Sequence, residues 1–196
     1  MLPVLPVLRV ADAASAVTDA ERLIGLGVGV VELTATTPGW PEAVGTLRRD
    51  HPQVLVGLGT VRDSEAARRA VDAGAQFLVS PHLVPEVRAA LGGDGSEVPL
   101  VEGGFTPTEV ATAASGGLAK LFPAHVGGPA YLRTLLAVLP DAELVPTGGI
   151  GPDDVEAWLD AGAVAVGVGS ALTERLARDP GAVTDWLETL RERSAS

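Results

Sequence analysis

The 196-residue sequence has no cysteine and a single lysine, Lys120, beside thirteen arginines. Without cysteine, disulfides, thiolate metal ligands and cysteine nucleophiles are all excluded. Aromatic residues make up only 4% of the chain, so the 46% of hydrophobic residues must form a mainly aliphatic core. A net charge of −11 provides no general basic field, which argues against binding to nucleic acid or to an anionic membrane surface.

Long apolar runs and clustered metal ligands are also missing. No charge-free apolar stretch approaches the roughly 18 residues of a membrane-spanning helix. The apolar residues 1–8 lack the basic leader and the cleavage site of a signal peptide, so we expect a cytoplasmic protein. His51, His82 and His125 are scattered without the spacing of metal ligands, and neither a metal nor a cofactor is predicted.

Short apolar runs alternate with helical patterns along the chain, which predicts one α/β domain spanning residues 1–196. The runs read as parallel strands buried on both faces, because they are continuous rather than alternating. Eight strand and helix units in this length favour a closed (β/α)8 TIM barrel. A doubly wound sheet is the alternative, but no glycine-rich dinucleotide fingerprint follows the first strand. The predicted strands cover 4–10, 28–34, 53–60, 76–80, 98–102, 118–123, 143–146 and 164–168.

The predicted helices cover 13–25, 41–49, 63–73, 84–91, a segment after a capping box at 106–109, 129–138 and 153–160. A last helical segment is broken at Pro180 and Gly181, and a polar turn at 92–96 precedes strand five.

Lys120 lies within the apolar run 118–123. Arginine stays protonated, whereas a desolvated lysine can lose its proton and attack a carbonyl to form a Schiff base. The pattern therefore suggests an amine nucleophile, although a snorkelling or ion-paired lysine at a strand end would have the same sequence.

Polar residues follow the predicted strands, at the end of a barrel where active sites lie. Glu32, between Val31 and Leu33, is expected to act as a general acid and base or to pair with Arg9 or Lys120. Arg9 ends strand one, where its forked donors could bind a substrate carboxylate or could pair with Glu32 or Glu102. Glycines after strands seven and eight could present N–H groups to a phosphate, or could serve only tight turns.

Eight ordered segments resemble the 2-keto-3-deoxy-6-phosphogluconate aldolase family, whose members are class I aldolases with a (β/α)8 barrel and typically trimeric. The likeness extends over residues 4–175. It is carried by Val7-Leu-Arg9, Val31-Glu-Leu-Thr34, Gly57-Leu-Gly-Thr60, Val79-Ser-Pro-His82, Phe105-Thr-Pro-Thr-Glu109, Lys120-Leu-Phe-Pro123, Pro146-Thr-Gly-Gly149 and Val166-Gly-Val-Gly-Ser170.

The resemblance implies a role for each candidate residue. Lys120 would form the Schiff base and Glu32 would transfer protons. Some members carry an arginine four residues after the glutamate, but that position is Thr36 here. Other members place the arginine at the end of strand one, as this chain does, so Arg9 would bind the substrate carboxylate. The other implied substrate-binding residues are Thr60, Pro81, Phe122, Thr147, Gly148, Gly149, Gly169 and Ser170.

The implied reaction is cleavage of 2-keto-3-deoxy-6-phosphogluconate to pyruvate and glyceraldehyde 3-phosphate by a homotrimer. Alternatives are an aldolase for the galactonate epimer or for 4-hydroxy-2-oxoglutarate, a phosphate-binding isomerase or synthase, and a catalytically silent assembly subunit. Two residues depart from the family pattern. Glu102 replaces a proline and is expected to place a carboxylate near the barrel mouth, as an acid and base, a repulsive gate or a salt-bridge partner. His125 replaces an acidic residue and has no assigned role.

Overall fold

A computed structural model describes residues 2–93 and 97–195 of the chain. Its strands are β1 (Val4–Leu8), β2 (Val30–Thr34), β3 (Leu55–Gly59), β4 (Leu78–Val79), β5 (Leu100–Val101), β6 (Gly103–Gly104), β7 (Ala119–Leu121), β8 (Leu144–Pro146) and β9 (Val166–Val168). Its α-helices are α1 (Ala13–Gly25), α2 (Trp40–Asp50), α3 (Ser64–Asp72), α4 (Pro85–Gly93), α5 (Pro107–Ala114), α6 (Gly128–Val138), α7 (Val155–Asp160), α8 (Ser170–Arg178) and α9 (Pro180–Ala195).

All the strand pairs are parallel, and the strands curl into a (β/α)8 barrel, which confirms the predicted fold class. One sheet has the order β5-β4-β3-β2-β1-β9 and the other has the order β6-β7-β8. Only Glu102 separates β5 from β6, so these two short strands occupy the fifth strand position together. On the other side, an isolated parallel bridge joins Thr147, directly after β8, to Gly167 in the middle of β9.

The strands bury side chains on both faces, as their continuous apolar sequences predict. Outward-facing residues such as Leu8, Leu33, Leu58 and Leu144 are fully buried under the helices and belong to the main hydrophobic core. Residues that pair across the strands share a face, and Val7, Glu32 and Gly57 are paired in this way. This set faces the barrel interior, where the candidate site lies.

Local sequence signals account for the helix starts. The side chains of Asp12 and Asp63 accept hydrogen bonds from the first turns of α1 and α3. The predicted capping box is present, with Thr106 and Glu109 bonded reciprocally at the start of α5. None of the described helices is both long enough and apolar enough to cross a membrane.

The predicted elements are confirmed in order, with shorter strands than expected. Strand one ends at Leu8 rather than residue 10, and strand four covers only Leu78–Val79. The break in the last helical segment falls at Asp179, because Pro180 already begins α9. Residues 94–96 of the predicted polar turn lie outside the described part of the chain.

Candidate active site

Lys120 and Glu32 meet inside the barrel. Lys120 is the central residue of β7 and Glu32 the central residue of β2, and both are buried. The Nζ atom of Lys120 lies 3.7 Å from Oε1 of Glu32, beyond hydrogen-bond distance. The two groups are therefore neighbours at ion-pair distance, close enough for the carboxyl group to exchange protons with an intermediate formed on the amine.

Both carboxylate oxygens of Glu32 are buried and have no hydrogen-bond partner among the described residues. Burial raises the pKa of Glu32 from its ordinary value of 4.5, and the charges of Lys120 and Arg9 oppose that rise. Burial without hydrogen-bond partners disfavours the charged form of the carboxyl group, and titratable groups perturbed in this way are candidates for proton transfer.

Two glycines create the space around these side chains. A Cβ atom at Gly59 would lie only 1.7 Å from Oε1 of Glu32, so the carboxylate occupies the position of a missing side chain. Gly103 pairs with Lys120 in register, and a Cβ there would lie 2.4 Å from the carbonyl oxygen of Pro81. Sequence reasoning gave neither glycine a role. Their place on inward-facing strand positions, where side chains normally fill a barrel, is the signal that could have identified them.

Arg9 is held at the barrel mouth by two threonines. Its Nη1 donates to the hydroxyl of Thr36 at 2.6 Å, and its Nη2 donates to the hydroxyl of Thr60 at 3.0 Å. Thr60 has a φ of 60°, in the left-handed region that a β-branched residue rarely adopts. Neither Glu32 nor Glu102 forms a described ion pair with Arg9, so the guanidinium keeps donors that could bind an anion.

The ends of β7, β8 and β9 bring the remaining candidates together. The Nζ atom of Lys120 lies 5.5 Å from the ring centroid of Phe122. The same ring lies against Gly148, where a Cβ would be 2.9 Å from it. Thr147 is buried beside Gly167, and Ser170 begins α8 directly after Gly169. Gly148 and Gly149 have φ values of 97° and 70°, which other residues rarely adopt.

The expectation that Glu102 places a carboxylate near the barrel mouth is wrong. Because the adjacent Gly103 shares the face of Lys120, the side chain of Glu102 points outward. There it accepts a hydrogen bond from the backbone N–H of Val84 at 2.7 Å and one from Nε of Arg88 at 2.9 Å. The carboxylate caps the start of α4 and pairs with its arginine.

No group of three or more metal-binding side chains converges anywhere in residues 2–93 and 97–195. The chemistry that the interior offers is therefore that of an amine beside a carboxyl group, with anion-binding donors at the mouth.

Comparison with known proteins identifies the same family over almost the whole chain. The sequence model of the KDPG and KHG aldolases matches residues 1–185. The 2-dehydro-3-deoxy-6-phosphogalactonate aldolase of Escherichia coli K12 is 32% identical over 175 residues, which cover 87% of this chain and 84% of that protein. The 2-dehydro-3-deoxy-phosphogluconate aldolase of Treponema pallidum is 39% identical over 150 residues, covering 75% of this chain and 70% of the relative.

Structural comparison agrees with the sequence comparison. The KDPG aldolase of Legionella pneumophila, with pyruvate captured at low pH as a covalent carbinolamine intermediate, superposes with a TM-score of 0.83 and 31% identity. The match covers 96% of this chain and 93% of that one. On sequence and structure together, the chain belongs to the KDPG and KHG aldolase family and is an aldolase.

Proposed function

We propose that the chain is a class I aldolase that cleaves 2-keto-3-deoxy-6-phosphogluconate to pyruvate and glyceraldehyde 3-phosphate. Lys120 forms the Schiff base and Glu32 transfers the protons. The observation that carries the proposal is the buried pair itself, with the amine 3.7 Å from a carboxyl group that has no hydrogen-bond partner within residues 2–93 and 97–195. A surface ion pair would not require the only side-chain amine in the chain to be buried inside the barrel beside a carboxyl group.

The first half of the reaction joins Lys120 to the substrate. The neutral amine attacks the C2 ketone, and the resulting carbinolamine loses water to give a protonated imine. Glu32 supplies the proton that leaves with the water and takes up the proton released from nitrogen. A carboxyl group whose pKa is raised by burial suits both transfers, because it holds a proton more readily than an exposed carboxylate does and can still release it.

The second half breaks the C3–C4 bond. Glu32, acting through a water molecule, takes the proton of the C4 hydroxyl while the bonding electrons move to the protonated imine. Glyceraldehyde 3-phosphate leaves, and the enamine of pyruvate stays attached to Lys120. Protonation of this enamine at C3 and hydrolysis of the imine release pyruvate and restore the amine, so no cofactor is consumed.

The two ends of the substrate would be held by groups on opposite sides of the mouth. Arg9, fixed by Thr36 and Thr60, would bind the carboxylate with its remaining donors. Pro81 and Phe122 would line the pyruvate end. The phosphate and the distal hydroxyl would bind at the ends of β8 and β9, through Thr147, Gly148, Gly149, Gly169 and Ser170.

Trapping with pyruvate and sodium borohydride tests the mechanism directly, because reduction makes an imine permanent. The expected adduct is on Lys120, identified by intact mass and peptide mapping, and it should be absent from Lys120→Arg. That variant should also lose cleavage activity while remaining folded. Substantial cleavage by Lys120→Arg would refute the assignment.

A relocated lysine provides the matched control. Arg178 is exposed and is the last residue of α8, at the opposite end of that helix from Ser170. The double variant Lys120→Arg with Arg178→Lys keeps one side-chain amine, outside the barrel, and should yield no adduct. An adduct at position 178 as abundant as that on Lys120 would indicate unselective reductive alkylation rather than a Schiff-base site.

The aldehyde half of the substrate distinguishes this reaction from its alternatives. Galactonate-configured and gluconate-configured phosphorylated substrates and 4-hydroxy-2-oxoglutarate share the pyruvate half and should all react with Lys120. We expect the highest kcat/KM for the gluconate epimer. A higher value for either other substrate reassigns the activity, and no turnover of any of them would favour a silent assembly subunit.

The proposal includes a homotrimer in solution. It is supported by the resemblance to a family of trimers and by exposed apolar side chains, such as Val138 and Val164, that an interface could bury. Sedimentation should give three times the chain mass of 19.9 kDa.

A further inference from the structure

His125 lies in the short helical turn after β7 and makes two contacts with one carbonyl group. Its backbone N–H donates to the carbonyl oxygen of Gly148 at 3.1 Å. Its ring nitrogen Nδ1 lies 3.1 Å from the same oxygen. Because a carbonyl oxygen only accepts hydrogen bonds, Nδ1 must carry the proton. The ring therefore fixes the direction of the Gly148 carbonyl.

The fixed carbonyl also orients the next N–H group. The peptide bond between Gly148 and Gly149 is trans, so the N–H of Gly149 points opposite to the carbonyl. The carbonyl points toward the turn that follows β7, and β8 has β7 on one side and β9 on the other. The N–H of Gly149 thus points toward the β9 side, where α8 begins at Ser170.

The same N–H group is available to a ligand. No acceptor for it occurs in the described part of the chain, and Gly149 is exposed at the mouth. The imidazole ring packs directly on this glycine, because a Cβ at residue 149 would lie 2.6 Å from Cγ of His125. Two successive glycines are otherwise free to rotate, since neither has a side chain to restrict its backbone.

We propose that His125 is a positioning residue for the phosphate group of the substrate. Its ring locks the peptide between Gly148 and Gly149 so that the N–H of Gly149 is already aimed at the anion before the substrate binds. This inference rests on the proposed function. It makes His125, which does not touch the reacting atoms, a determinant of the preference for phosphorylated substrates. Preorganised donors bind more tightly because less ordering is required on binding.

Three substitutions separate the ring contact from other roles of the histidine. His125→Ala removes the hydrogen bond from the side chain, His125→Asn keeps a donor near the position of Nδ1, and His125→Gln moves the donor outward. Val126→Ala is the control, because Val126 is 64% exposed in the same turn. For each protein, kcat and KM are measured with 2-keto-3-deoxy-6-phosphogluconate and with 4-hydroxy-2-oxoglutarate, which carries no phosphate.

His125→Ala should lower kcat/KM about tenfold for the phosphorylated substrate, chiefly through KM, which corresponds to about 1.4 kcal/mol. The value for the unphosphorylated substrate should change much less, and His125→Asn should restore most of the loss. A parallel loss for both substrates, no loss for either, or equal restoration by His125→Gln would overturn the proposal.

Trapping with pyruvate distinguishes the two proposals. An adduct on Lys120 in the wild-type chain and in every His125 variant, together with an unchanged substrate ratio, overturns only the role of His125. Absence of the adduct from the wild-type chain overturns both.

Discussion

The lack of space beside Gly59 predicts that adding a single methyl group there will strongly affect activity. Gly59 lies at the end of β3, and the carboxylate of Glu32 occupies the space that a side chain at residue 59 would fill. In Gly59→Ala the new Cβ would lie 1.7 Å from Oε1 and 2.5 Å from Cδ of Glu32. Ordinary van der Waals separations begin at 3.4 Å. The carboxylate oxygen must therefore retreat by roughly 1.7 Å, the difference between these two separations.

Such a displacement is large relative to the geometry that it disturbs. The amine of Lys120 lies only 3.7 Å from the same oxygen, so proton transfer between the two groups would lose its alignment. A misplacement of about 1 Å typically costs about a hundredfold in rate. We expect kcat for aldol cleavage to fall at least about a hundredfold in Gly59→Ala, equivalent to about 2.7 kcal/mol of activation free energy.

The assay is the initial rate of pyruvate release, with thermal unfolding measured on the same samples. Gly45→Ala is the matched control, because it adds the same methyl group within α2, where the nearest atom is 3.9 Å away. This control should keep its activity and gain about 0.5–1 kcal/mol of stability from the helix preference of alanine. A folded Gly59→Ala with wild-type kcat would show that the position of Glu32 does not limit the reaction.

Three further predictions concern pH, the core and the outward carboxylate. Burial raises the pKa of Glu32, so its proton-accepting form is lost as the pH falls through a value above 4.5. The acid limb of the kcat/KM profile should therefore lie above pH 4.5, and it should be absent from the residual activity of Glu32→Gln. An unchanged acid limb in this variant would assign the limb to another group. Leu58→Ala empties a fully buried position and should lower the free energy of unfolding by about 2–5 kcal/mol in urea, and a change below 0.5 kcal/mol, as for a surface site, would contradict its place in the core. Glu102→Ala leaves the N–H of Val84 unpaired and should lower the free energy of unfolding by about 1–3 kcal/mol, with a smaller loss in Glu102→Gln. An altered preference among keto acid substrates would instead mean that this carboxylate reaches the substrate.

The order of elements was predictable because the strands are mainly apolar and three of the helices begin with a recognisable side-chain cap. Asp12, Asp63 and Thr106 all cap helices at the positions where the sequence places a start. Strand ends were less predictable. Val10 and Gln53 lie in sequences that favour strand, but pairing extends only to Leu8 on β1 and begins at Leu55 on β3, because hydrogen bonding depends on the neighbouring strands.

The candidate site was predictable where charge interrupts an apolar strand. Lys120 and Glu32 are conspicuous for that reason, and the structure places them together. The direction of Glu102 was not predictable from its place at a strand end, because one residue of register decides between the two faces of a sheet. The role of Gly59 also escaped sequence reasoning, since a glycine in a strand has several possible causes.

The single lysine has a practical consequence for the chemistry of the whole molecule. Every other basic side chain apart from the histidines is a guanidinium group, so acylating reagents find no other side-chain amine. Acylation of Lys120, whose side chain is 8% exposed, would report on access to the interior. The slowing of that labelling by an added keto acid would measure how much of the site is occupied, without any turnover.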